Sequence, residues 1–182
     1  MPDLDLGDLV EAYGVDYKRY LQDIQNALKN YQKDYFAPSA PKELSRGTVL
    51  PEVQFTLNTF DDSDGLQAWD VTHPGLVVTH PCDLEPGRES ETAQVAPIVS
   101  VPEHWTKEKR EVLRDGAIDD YFWLPPTANA DERMAALNES APMPCSYLRS
   151  LFGSAKPGDL SELSQPMTWL LAMKLTRLFG RP

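Results

Sequence analysis

From Gly75 to Glu85 the chain reads Gly-Leu-Val-Val-Thr-His-Pro-Cys-Asp-Leu-Glu. Leu76 to His80 is a short run, mostly apolar and β-branched, with Gly75 before it and Pro81 after it. That is the pattern of a strand buried on both faces. Pro81 ends strand pairing because proline has no N–H to donate. His80, Cys82, Asp83 and Glu85 then crowd four ionisable groups into the strand exit. Strand exits are where folds commonly display chemistry.

The rest of the chain bounds what can surround this strand. With 182 residues it is one domain with room for decoration. A chain of this size buries roughly 70% of the surface its unfolded form exposes, enough for a core. Sixteen prolines predict irregular, well-punctuated connections. The net charge of −11 counts against a broad nucleic-acid surface, which carries the opposite sign, and suits docking onto a basic partner. The start, Met-Pro-Asp-Leu-Asp-Leu, is acidic and has no apolar core segment. No apolar run approaches the ~20 residues of a membrane span. With only Cys82 and Cys145 present, the expectation is a cytoplasmic protein with reduced thiols and no membrane contact.

In chain order, residues 4–35 carry a tyrosine-rich apolar stripe at three- and four-residue steps, which predicts an N-terminal helical arm over residues 1–38. Asp16 is a candidate cap for a second helix from Tyr17 to Tyr35. Ala37-Pro-Ser-Ala-Pro41 reads as a linker, with the main domain following over residues 42–182. Residues 46–57 change to a period of two. Val49, Val53, Phe55 and Leu57 are expected inside, and Thr48, Glu52, Gln54 and Thr56 outside. The acidic turn Asp61–Gly65 lacks the ligand spacing and closing Glu of a calcium loop. A short strand around Trp69 and Val71 is expected, with His73 before Pro74 in a turn. Residues 93–101 predict another strand, placed at an edge or bulge by Pro97. Residues 106–115 predict a helix capped by Thr106 and ended near Gly116. A strand is expected at 118–124 and a short helix capped by Asn129 at 129–138. Residues 145–152 fit either helix or strand. Residues 166–179 predict an amphipathic helix, with Pro166 at its first position, Gly180 just past its end, and Lys174 and Arg177 favoured by the helix dipole. The four tryptophans, Trp69, Trp105, Trp123 and Trp169, read as core and interface anchors.

Three segments carry a family resemblance. Arg46-Gly-Thr-Val-Leu50, His73-Pro-Gly-Leu-Val-Val78 and Val95-Ala-Pro-Ile-Val-Ser100 resemble, in order and spacing, strands of the PemK/MazF toxins. The resemblance implies an α+β fold: a small, mostly antiparallel SH3-like β-barrel, here with an N-terminal helical arm and a C-terminal amphipathic helix. In that family a metal-independent ribonuclease cuts single-stranded RNA with an Arg and a Thr or Ser. In this chain His73 stands at the Arg position and Val99 at the Thr position, while Ser100 is retained. The exit His-Pro-Cys-Asp-Leu-Glu is also similar to uncharacterised bacterial proteins with a Cys-Asp-Leu-Glu motif.

Three constellations could bear chemistry. His73 and Ser100 could form a divergent ribonuclease pair, with Arg46 or Arg88 clamping phosphate, since histidine has the pKa for general acid–base work. Cys82 with His80, oriented by Asp83 or Asp70, could form a nucleophile and its base. His80, Cys82, Asp83 and Cys145 lack the paired spacing of a zinc site, and no metal or cofactor is expected. The resemblance without the family's catalytic pair, together with the acidic charge and two amphipathic end helices, points to a binding or assembly subunit of a prokaryotic toxin–antitoxin or phage-defence system. Its expected partner is a protein, or a second copy of the chain, held through the N-terminal arm and the C-terminal helix. RNA is the ligand only under the ribonuclease alternative.

Overall fold

The computed structural model describes residues 35–61, 65–80, 84, 91–127 and 130–179. The helical arm expected before residue 38 lies, up to residue 34, outside them. So do Cys82, Asp83, Arg88, Asn129 and Gly180. The described chain is α+β. It runs β1 (Thr48–Asp61), β2 (Gly65–Val77), β3 (Thr92–Ser100), α1 (Lys107–Arg114), β4 (Tyr121–Leu124), β5 (Arg133–Ala136), β6 (Ala141–Pro144), α2 (Cys145–Ser154), β7 (Ser161–Glu162) and α3 (Gln165–Phe179). The strands form one curled antiparallel sheet, a half-barrel, in the order β4-β5-β3-β2-β1-β7, with β6 also on β3.

The sheet is organised around the C-terminal end of β2. Gly75 to Val78 are all buried, as the apolar run predicts. The two strands expected around Trp69 and Leu76 are one, however, and His73 and Pro74 lie inside it rather than in a turn. The physical reason is on the neighbouring strand. The pairing of β1 with β2 steps from Leu50↔Gly75 to Val53↔His73. Pro51 and Glu52 therefore face Pro74 alone, which is a β-bulge. Both prolines fall where the ladder is already interrupted, so neither removes a needed hydrogen bond.

The bulge also changes which residues face inward. It places Leu50 on the same side as Val53 and Phe55, and these three join Val77, Val95, Met143 and Leu148 in one core cluster. Strict alternation assigned that place to Val49, which is buried outside this cluster. Thr48, expected to face solvent, is fully buried, and its hydroxyl accepts from the Ser45 N–H at 3.1 Å. Glu52, Gln54 and Thr56 are exposed as predicted.

Pro97 is neither at an edge nor in a bulge. Residues 95–97 of β3 pair with β2 on one side. On the other side β3 pairs with β6 over residues 92–95 and with β5 over residues 98–100. The partner on that side changes across Pro97. The Val78 N–H donates to the Gln94 carbonyl at 3.0 Å, so alternation makes Gly75↔Pro97 a non-hydrogen-bonded pair. The missing N–H of Pro97 would have pointed into the gap between β6 and β5. The strand tolerates proline in its interior because the sheet forks there.

The helix α1 matches its prediction, with the Thr106 hydroxyl accepting from the Lys109 N–H and Leu113 buried beneath it. A carboxylate ties α1 to the sheet. Glu132 Oε1 accepts from Arg114 Nε at 2.6 Å and from Trp123 Nε1 at 2.7 Å, and Arg110 also reaches it. The Arg114 guanidinium holds the Glu132 carboxyl below the usual glutamate range. Trp105 and Trp123 border the small cluster of Val101, Leu113 and Met134, as expected of anchors, whereas Trp69 and Trp169 are largely exposed.

Residues 133–136, expected as part of a helix, are β5. Met134, Ala135 and Ala136 have good helix propensity, but they pair with β4 on one side and β3 on the other and are buried. Tertiary pairing overrides a propensity worth only tenths of a kcal/mol per residue. The ambiguous stretch from Cys145 is helix α2, which buries Cys145 and Leu148. Tyr35 is buried against Phe122 and Trp123, with its hydroxyl donating to the Trp123 carbonyl.

A Cβ on Gly75 would lie 2.7 Å from Val95 Cγ1 and 2.8 Å from Val53 Cγ2. Both neighbours are stiff β-branched side chains in the core. Gly75→Ala is therefore expected to lower the unfolding free energy by about 1–3 kcal/mol, the range for overpacking a tight core. Urea denaturation of the two proteins measures this.

Candidate functional site

The strand exit singled out by the sequence opens onto a cleft of about 610 Å³. Val78 and Thr79 leave β2 at its floor, Arg46 lies just before β1, and Gln94 comes from β3. Asn138 and Ser140 come from the turn between β5 and β6, and Leu175, Thr176 and Phe179 from the last turns of α3. These residues meet because of the sheet order. β3 lies beside β2, the Leu137–Glu139 turn follows β5, and α3 ends over the same corner.

The lining mixes polar groups with a larger apolar surface, and none of the described residues in it is a carboxylate. Arg46 is the one cation among its described residues, and its Nε donates to the Thr79 carbonyl at 3.2 Å. The Thr79 hydroxyl in turn accepts from the Gln94 N–H at 2.5 Å. These bonds stiffen the exit of β2 and hold the Arg46 side chain along it. The remaining groups are two amides, three hydroxyls and the apolar surfaces of Val78, Leu175 and Phe179. Phe179 is 60% exposed on the rim. Such a set can bind a ligand with both polar and apolar parts.

The candidate residues are distributed as follows. Arg46 lines the cleft, whereas exposed His80, next to Thr79 in the chain, is not among the cleft residues. His73 is half-buried on β2 opposite Val53, and Ser100 is exposed at the end of β3 opposite Arg133. Neither His73 nor Ser100 is among the cleft residues. Cys82, Asp83 and Arg88 lie outside the described residues. Cys145 is buried in the core cluster. No group of three or more His, Cys, Asp or Glu side chains converges among the described residues.

Sequence reasoning missed Asn138, Ser140 and Thr176, because ordinary polar residues carry no spacing signal and the fold alone brings them to the cleft. It also missed Arg133. Its pairing with Ser100 puts the two side chains on one face of the sheet, at directly opposed positions.

The placement of α3, which supplies one wall, depends on Lys174. This residue was expected near the helix end, favoured by the helix dipole, and it is 5% exposed. Its ammonium donates to the carbonyls of Ile118 and Tyr121, each at 2.7 Å. One turn later Arg177 pairs with Asp119 at 3.1 Å. Together the two side chains clamp α3 onto the turn before β4. The wide apolar face of α3, with Met167, Leu170, Leu171 and Leu175 buried, turns Lys174 inward, and the turn's carbonyls give its charge a partner.

No family model, curated protein or solved structure matches this chain. No helix among the described residues is long and apolar enough to cross a membrane.

Burial lowers the Lys174 pKa to about 8, against the opposing pull of Asp119. An unfolded lysine keeps its proton to about pH 10.4. Between these values the unfolded chain binds more protons, so stability rises with pH. The rise is lost again as pH falls through the folded value. Unfolding free energies measured from about pH 8 to about pH 10 are expected to rise in the wild type relative to Lys174→Met, by on the order of 2 kcal/mol. Parallel pH profiles of the two proteins would contradict this placement of Lys174.

Proposed function

We propose that this chain is a binding or assembly subunit built on a divergent PemK/MazF-like, SH3-like half-barrel, acting in a prokaryotic toxin–antitoxin or phage-defence system. The cleft at the exit of β2 is its recognition site. One observation carries this reading: the cleft does not gather the pair that the ribonuclease alternative needs, His73 and Ser100. His73 and Ser100 lie in separate ladders and outside the cleft, while the cleft holds amides, hydroxyls, apolar surface and a single arginine already bonded to the backbone. A cleft of amides, hydroxyls and apolar surface, with no carboxylate among its described residues, suits a protein partner whose contacting segment mixes polar and apolar side chains.

The ribonuclease alternative draws on one observation of its own. Arg133 stands opposite Ser100, which would give that hydroxyl a cation for a phosphate. Against it stand the separate placement of His73 and the acidic balance of the chain.

Single-stranded RNAs of varied sequence, incubated with the purified protein and a chelator, are expected to remain intact. Affinity purification from the native host is expected to recover a stoichiometric partner with the wild type. Thr176→Trp, which fills the cleft from an exposed position on α3, should lose that partner. RNA cleavage that disappears in His73→Ala would replace this reading with the nuclease one. Partner capture unchanged by Thr176→Trp would move the recognition site elsewhere.

A further inference from the structure

Six arginines lie among the described residues, and five of them are held by the protein's own acceptors. Arg46 donates to the Thr79 carbonyl and Arg149 to that of Leu84. Arg110 and Arg114 reach Glu132, and Arg177 pairs with Asp119. Arg133 is the exception. Its Nε is buried and has no hydrogen-bond partner, and among the described residues no carboxylate pairs with its guanidinium. Neither of the two residues before it supplies one. Asp131 is exposed, and Glu132 serves Arg110, Arg114 and Trp123 on the other face of the sheet.

A cation partly withdrawn from water, with no acceptor to replace the lost water, is costly to keep. Burial pulls the Arg133 pKa down from the usual arginine value. In the other arginines a carbonyl or carboxylate answers the charge. Here the protein leaves that role open.

The backbone sets what stands beside the guanidinium. The Val101 N–H donates to the Glu132 carbonyl at 3.3 Å, so alternation makes Ser100↔Arg133 a non-hydrogen-bonded pair, the kind in which facing side chains stand closest. On its other side Arg133 pairs with Leu124, which is fully buried. Arg133 is thus flanked, on one face of the sheet, by apolar Leu124 and by the Ser100 hydroxyl. Ser100 is exposed and Arg133 is partly exposed, so a ligand reaches this spot from solvent.

One guanidinium and one hydroxyl suit a singly charged acceptor with two oxygens. A carboxylate takes a pair of parallel N–H bonds from an arginine, and the hydroxyl adds an O–H bond. A phosphate monoester carries up to about two charges at neutral pH and would leave one uncompensated. The chain's net charge of −11 disfavours that excess further.

We propose that Arg133 and Ser100 form a binding site for a carboxylate group, that of a free organic acid or of a protein's acidic side chain. The site shares no residue with the cleft, so this reading and the recognition site fail separately.

Titration of the isotope-labelled full chain with acetate, followed by NMR at constant ionic strength, tests the site. The Arg133 Nε–H and the Ser100 amide are expected to shift along one saturating curve, half-complete at or below about 10 mM. Sodium chloride alone should leave both in place. Arg133→Gln should weaken binding by roughly tenfold or more, and Ser100→Ala by a smaller factor, with the remaining amide signals showing the fold intact. Arg133→Lys keeps the charge but loses the fork, and should bind more weakly than the wild type. Glutamate blocked at its amino and α-carboxyl groups stands for a protein side chain. Tighter binding than acetate assigns the site to a protein's acid, and weaker binding assigns it to a free acid. Inorganic phosphate binding more tightly than acetate, shifts that never saturate, or a titration unchanged in Arg133→Gln would overturn the proposal.

Discussion

Gly75 has no side chain because there is no space for one. Val53 and Val95 close on it from the two neighbouring strands, within distances that no Cβ could share. That close approach draws β1, β2 and β3 together where the sheet curls. It also fixes the register on both sides, Leu50↔Gly75 on one and Gly75↔Pro97 on the other. The bulge, the fork in β3 and the cleft at the strand exit all lie within a few residues of this contact. They follow from holding three strands at one point while letting them diverge beyond it.

The divergence accounts for the site. Past the contact in one direction, β1 and β2 leave as a ribbon and carry His73 with them. In the other direction, β3 changes partners from β6 to β5, and Ser100 faces Arg133 there. The residues that converge instead are those at the exit of β2, on the β5–β6 turn and on the end of α3. The clamp of Lys174 and Arg177 keeps α3 over that corner, at the cost of burying an ammonium.

Much of this was legible in the sequence. The buried run from Leu76, the alternating strand before it, the capped helix after Thr106 and the amphipathic final helix each carry a periodicity or an end signal that depends on local residues. What was not legible depends on pairing. Pro51 and Pro74 look like strand breakers one at a time, and only together, facing each other, do they define a bulge that keeps both strands intact. Pro97 suggested an edge because nothing local shows that the opposite partner changes there. Met134 to Ala136 read as helix because their burial between two strands is decided by residues far away in the chain. Lys174 read only as a cation at a helix end, because the carbonyls that hold it come from the turn before β4. The cleft was legible only at its floor, in the strand exit. Its walls are ordinary amides and hydroxyls.

The central claim is that β2 runs unbroken through His73 and Pro74 into a tight contact with β3 at Gly75. Solution NMR of the folded protein tests it directly. A non-hydrogen-bonded antiparallel pair brings opposing α-protons close. A strong nuclear Overhauser contact between the α-protons of Gly75 and Pro97 is predicted, together with extended backbone shifts for His73. Turn-like contacts around His73 and Pro74, with no cross-strand contact at Gly75, would contradict the account.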